Sequence, residues 1–124
     1  PRGGQPRMIE PRLAAHMRIG ALQRLTAAAG GFATVLAKGD PVSGVILIAR
    51  TVRGHDNALL EGMIAFDGST DWQEIWADDE ANIVRKGTQA EYIARRRGRD
   101  GDLWVIELDV ASRAQFDAII GEAS

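Results

Sequence analysis

The sequence predicts an α+β fold: one antiparallel, mostly meandering sheet of four to five strands, covered by an N-terminal amphipathic helix and two shorter C-terminal helices. Three observations carry that expectation. A stretch of about 18 residues near the N-terminus has helical periodicity. Several runs of β-type alternation then follow one another without regular β-α-β repetition, and two helix-capping patterns sit in the last third of the chain.

The first element reads from "PRLAAHMRIGALQRLTAAAGG". Pro11 suits a first turn, Leu13, Met17, Ala21, Leu25 and Ala28 recur at helical spacing, and Ile19 and Leu22 widen the stripe. Gly20 inside it points to close approach of a neighbouring element, and Gly30 and Gly31 stop it, because the residue past a helix end often takes the left-handed conformation. "FATVLAK" then alternates Phe32, Thr34 and Leu36 with Ala33, Val35 and Ala37, while "VILIARTVR" is apolar on both faces near its start. The Asp-Pro of the intervening "GDPVSG" favours a turn, so these two strands are expected to pair as a hairpin.

"GHDN" reads as the next turn and "ALLEGMIAF" as a third strand with Leu60, Ile64 and Phe66 on its stronger face. "WQEIWA" reads as a fourth, with Trp72 and Trp76 on a shared face. "DDEANIVRKG" is undecided, although it is acidic at its start and basic at its end, as a helix prefers. "TQAEYIARRRG" is a short helix opened by a Thr88 and Glu91 capping box and ended by Gly98. "LWVIELDV" is a half-buried strand showing Trp104, Ile106, Leu108 and Val110 on one face, with room to return beside a central strand. The closing helix "SRAQFDAIIGEA" opens on Ser112 and Gln115 and offers Phe116, Ile119 and Ile120 for packing.

Composition narrows the function classes. With 124 residues the chain fits one domain, read as residues 11–124 behind a disordered Gly-, Pro- and Arg-rich tail of residues 1–10. The absence of cysteine removes disulfides, thiolate nucleophiles and cysteine-ligated zinc, and points to the cytoplasm. The longest strongly apolar run, Val45 to Ala49, is far short of the roughly 20 residues of a membrane-spanning helix. A net charge of −2 argues against a dedicated nucleic-acid binder. The charge is unevenly spread: residues 1–53 carry eight Lys and Arg against two Asp and Glu, residues 54–124 seven against fifteen. The two halves are expected to share one domain, with their charges facing each other or solvated.

The motif that asks most for a function is "KGDPVSGVILI". Gly39 and Gly44 have the spacing that opens a phosphate-binding P-loop, but Val45 and Ile46 stand where Lys and Ser or Thr are needed, and a β-rich run follows instead of a helix. The stretch therefore reads as a structural turn, with Lys38 as a weak anion contact. His16 and His55 lack the helical spacing of a metal pair, and no G-x-S-x-G elbow accompanies the serines. Asp67 and Asp71 are the first metal candidates in an acidic stretch that lacks the calcium-loop pattern. Arg95, Arg96, Arg97 and Arg99 beside Tyr92 can meet phosphates or an RNA backbone, or can complement a helix C-terminus with Asp100 and Asp102 as partners. Trp72, Trp76 and Trp104 can build a pocket or an interface anchor, or pack in the core.

"PRLAAHMRIGALQRL", "AAGGFATVLAKGDPVSGVILI" and "DLWVIELD", in this order, resemble a family of small alphaproteobacterial proteins known as the domain of unknown function number fourteen ninety-one. The resemblance covers residues 11–110 and implies a cytoplasmic bacterial protein; it carries no catalytic residue and no cofactor. The functional expectation is a non-catalytic binding or regulatory module that meets a protein partner or a second copy of itself through the first helix or an exposed sheet edge. No membrane and no nucleic-acid partner are expected. A small-molecule enzyme binding acyl groups or nucleotides, and a weak RNA binder through Arg95 to Arg99, are the alternatives.

Overall fold

The protein's computed structural model describes residues 14–64, 67 and 69–123. The expectation of a tail over residues 1–10, and those at Pro11, Leu13 and Phe66, lie outside the described residues. The elements run α1 (Ala15–Ala28), β1 (Phe32–Ala37), β2 (Ile46–Val52), β3 (His55–Ile64), β4 (Thr70–Ala77), α2 (Glu80–Lys86), α3 (Gln89–Arg99), β5 (Trp104–Val110) and α4 (Arg113–Ala123). The fold is α+β, and "DDEANIVRKG" supplies a fourth helix, α2, on which the sequence was undecided.

The sheet is mixed rather than antiparallel. Its order is β1-β5-β2-β3-β4, and β5 runs parallel to β2 while every other pairing is antiparallel. The expected β1–β2 hairpin therefore does not form: β5 lies between the two strands. The reason lies in β2, where residues 46–51 are all buried, so this strand needs a neighbour on each edge and cover on each face. Residues 38–45 arch over the start of β5 and span the two strand spacings, about 10 Å, that separate β1 from β2.

That arch answers the question of the glycines. A Cβ on Gly39 or Gly44 would collide with the backbone carbonyl of Asp102. The same carbonyl accepts from the Asp40 amide at 3.0 Å, and the Trp104 amide donates to Val45 O at 2.8 Å. The two glycines let two stretches of backbone touch. Asp40 folds the arch by accepting from the amides of Val42 and Ser43 and from the Ser43 hydroxyl. Those amides are thus committed to Asp40 rather than presented to an anion. The arch also caps α1, whose first amides, Ala15 and His16, donate to the carbonyls of Val42 and Pro41.

Both sheet faces are covered. Ile46, Ile48, Leu60, Trp104, Ile106 and Leu108 pack with Ile19 and Leu22 of α1 and Phe116 and Ile119 of α4. Leu47, Ala49, Leu59, Leu103 and Val105 form a second core on the opposite face with Tyr92 and Ile93 of α3. β5 is therefore central rather than half-buried. α1 turns its Ala15, Ile19, Leu22 and Thr26 inward, leaving Met17 half exposed, so the buried stripe is rotated from the predicted one. The turn before β3 is shorter than expected: Arg53 and Gly54, both at positive φ, join β2 to β3 in the two-residue form that matches strand twist. Helix α3 runs through Gly98 to Arg99.

Trp72 and Trp76 do not share a face. The β3–β4 register shifts between Leu59 and Leu60, which pair with Trp76 and Glu74, so Ile75 is the extra residue and the strand changes face after it. Trp72 joins the α1 and α4 side and Trp76 the α3 side.

Candidate functional site

The sequence-predicted candidates are dispersed. Lys38 is exposed at the end of β1 and offers its carbonyl to the Arg97 guanidinium at 3.1 Å. Arg97 also donates to the carbonyls of Gly101 and Leu103, at 2.9 and 2.6 Å. It ties the end of α3 to both β1 and the entrance of β5. Arg96 pairs with Glu61 at 3.1 Å, and Arg95 donates to Lys86 O at 2.6 Å with its guanidinium over the Tyr92 ring. Lys86 approaches the same ring. The aromatic and three of the four arginines considered for RNA are thus engaged within the chain, while Arg99 is exposed.

Asp67 accepts from the Ser69 hydroxyl and amide, which hold its carboxyl below the usual value of 3.8, and Asp71 accepts from Gln73. Among the described residues no three His, Cys, Asp or Glu side chains come together to hold a metal ion. The three tryptophans occupy separate places: the Trp76 indole donates to Gly87 O, the Trp104 indole to Asp40 O, and Trp72 lies under the Arg18 guanidinium.

Two features of the surface remain. The first is the β1 edge. Among the described residues β1 pairs only with β5, its six residues carry no charge and no proline, and its outward face shows Phe32, 74% exposed, Thr34 and Leu36. The opposite edge, β4, carries Asp71 and Glu74, and the Lys86 ammonium occupies the Ile75 carbonyl. Charges of this kind protect an edge from pairing; β1 has only the Leu36 bulge, which confines a regular edge to Phe32–Val35.

The second is a shallow cleft of about 250 Å³ where the starts of β3, α2 and α3 meet the end of β4. Trp76 and Ile83 form its apolar walls, and His55, Asp56, Asp78, Thr88 and Gln89 its polar ones. Gln89, the first residue of α3, is held by its carboxamide N–H on Ala58 O, and Thr88 and Glu91 close a complete capping box above it. A buried glutamine at a helix start has no sequence signature, so Gln89 could not be read in advance; Asp78 stood out only as one acid of the acidic stretch, and nothing marked Asp56. Nor could the exposure of Phe32 be read: its face of β1 is the bulkier one, which a strand buried on one side ordinarily turns inward, yet here that face is the exposed one.

Among the described residues no helix is long and apolar enough to cross a membrane. The fold and these features define a small α+β domain with an open strand edge and a polar cleft. The family model described as "Protein of unknown function (DUF1491)" matches residues 13–117, and the chain belongs to this family. It is similar to a crystal structure of a DUF1491 protein from Caulobacter crescentus, with 26% identity, a TM-score of 0.67, and coverage of 84% of this chain and 94% of that one. It is also similar to the solution structure of protein Atu0922 from A. tumefaciens, with 28% identity, a TM-score of 0.58, and coverage of 80% and 86%. No curated protein matches.

Proposed function

We propose that the chain is a non-catalytic binding module of the bacterial cytoplasm that accepts an extended strand from a protein partner, or from a second copy of itself, along β1. The observation that carries this reading is the unguarded edge: four regular residues, alternate ones turning their backbone groups outward with no strand beside them among the described residues, neutral side chains and an exposed phenyl ring. Strand addition satisfies those backbone groups and covers Phe32 together. The lack of cysteine supports a reducing compartment.

The catalytic alternative finds less support. The cleft is shallow, and the carboxyls held below the usual value, Asp40, Asp67 and Asp79, are exposed turn and cap groups outside it. The RNA alternative loses three arginines to internal partners.

The test replaces Thr34 by Lys, which places a charge on the exposed face of β1 without touching the core. Wild type and variant are compared by light scattering over a concentration series, and by hydrogen exchange of the Phe32–Val35 amides alone and in cell extract of the source bacterium. Protection of those amides on self-association or in extract, lost in the variant, is expected. Equal exchange in both proteins under every condition would sink the reading.

A further inference from the structure

We propose that the cleft between β3, β4 and the starts of α2 and α3 is a binding site for an organic cation, an alkylammonium or guanidinium group. Asp56, Asp78 and the Gln89 carboxamide oxygen supply its acceptors, with the His55 imidazole and the Thr88 hydroxyl beside them. Gln89 is 6% exposed, and its N–H is committed to Ala58 O at 3.2 Å, while among the described residues no donor reaches its carboxamide oxygen. A glutamine so deeply buried ordinarily has both ends of its amide satisfied. Its oxygen is not sealed in protein without a partner, so it reaches solvent, and Gln89 lines the cleft.

Two carboxylates share that cleft. No hydrogen bond or ion pair among the described residues engages the side chains of Asp56 or Asp78. No Lys or Arg lines the cleft, and the one strong donor among its apolar walls, the Trp76 indole N–H, is turned away onto Gly87 O at 2.9 Å. Three unpaired acceptors, two of them anionic, beside an indole ring make a site that attracts a cationic donor and repels an anion. At about 250 Å³ the cleft lies below the 300–1,000 Å³ typical of drug-sized ligands. It suits one basic side chain or a small free amine. This inference is independent of the β1 edge, which belongs to a different strand on the far side of the sheet.

The experiment titrates the isotopically labelled protein with three probes: arginine blocked at both ends, agmatine, and glutamine blocked at both ends as a neutral control. The Trp76 indole and Gln89 carboxamide signals are followed by NMR. Both cations are expected to move these signals saturably and the neutral probe to leave them in place. Asp56→Asn/Asp78→Asn is expected to weaken binding at least tenfold with its melting temperature unchanged; if the double variant does not fold, each single variant takes its place. Tighter binding of blocked arginine than of agmatine assigns the site to a protein side chain, and the reverse assigns it to a free amine. Silence of the cleft signals with both cations, equal shifts with the neutral probe, or undiminished binding by the carboxamide variants would each overturn the proposal. Thr34→Lys should bind the cations normally, which separates this result from the fate of the edge reading.

Discussion

Arg97 shows how a residue type can be legible while its role is not. Its place in an arginine run suggested phosphate chemistry, yet its guanidinium holds three carbonyls from two segments, Lys38 after β1 and Gly101 and Leu103 before β5. Hydrogen bonds from a charged donor are each worth about 1.5–3 kcal/mol, and water replaces part of that in a partly exposed site. Arg97→Ala is therefore expected to destabilise the fold by about 1.5–3 kcal/mol in urea unfolding, and Arg99→Ala by less than about 0.5 kcal/mol. A second residue-scale prediction concerns acid. The Asp40 carboxyl lies below its ordinary 3.8 because of the Ser43 amide, then the Ser43 hydroxyl and the Val42 amide. The Asn82 amide and side chain do the same for Asp79. A carboxyl whose folded pKa is depressed stabilises the fold fully above its unfolded pKa, and that contribution fades as pH falls through the folded value. The melting temperature should thus drop below about pH 4, and Asp40→Asn should flatten that acid limb in a pH series of thermal melts.

At the scale of elements, local rules held where the signal was local. The Thr88 box forms with both of its bonds, so Thr88→Ala should cost about 0.5–2 kcal/mol and speed amide exchange in the first turn of α3. The Ser112 and Gln115 pattern opens α4, although the Gln115 side chain reaches Ala111 rather than Ser112, and its N–H also binds the end of α1 at Ala29 O. Local rules failed where a neighbour decided the outcome. The bulge at Ile75 separates Trp72 from Trp76, and nothing within "WQEIWA" announces it, because a bulge belongs to the pairing with β3 rather than to one strand. The stripe of α1 rotated for the same reason: its periodicity permitted more than one apolar face, and the packing of α1 against β1 and α4 chose the one through Ile19 and Leu22. Gly44→Ala tests the arch that replaced the expected hairpin. The collision of its Cβ with Asp102 should cost about 1–3 kcal/mol by urea unfolding, where a hairpin turn in open solvent would lose little.

Across the whole molecule, the late strand organises the early ones. β1 and β2 are adjacent in sequence but meet only through β5, so the sheet closes when residues 104–110 enter between them. Removing residues 103–124 should therefore abolish cooperative thermal unfolding, since β1 and β2 then each lose a partner and the Phe116 core goes with them. The two oppositely charged halves of the chain also meet in the fold: Arg50, 3% exposed from the first half, pairs at 2.7 Å with Glu74 from the second, over the Phe116 ring. Removing that carboxylate by Glu74→Ala leaves the buried guanidinium, among the described residues, only its bond to Asn57 Oδ1, and should cost about 3 kcal/mol, less whatever solvent at the half-exposed Glu74 position restores. By itself the sequence determined the class of fold, the existence of the first helix, five strands and two capped helices, and the structural nature of the glycine arch. These rest on periodicity, capping and turn chemistry, which act over a few residues. Only the tertiary structure decided the strand order, the parallel β2–β5 pair, the bare β1 edge and the acceptor-lined cleft. Those depend on which distant backbones compete for the two edges and two faces of β2, a contest between segments that no local pattern records.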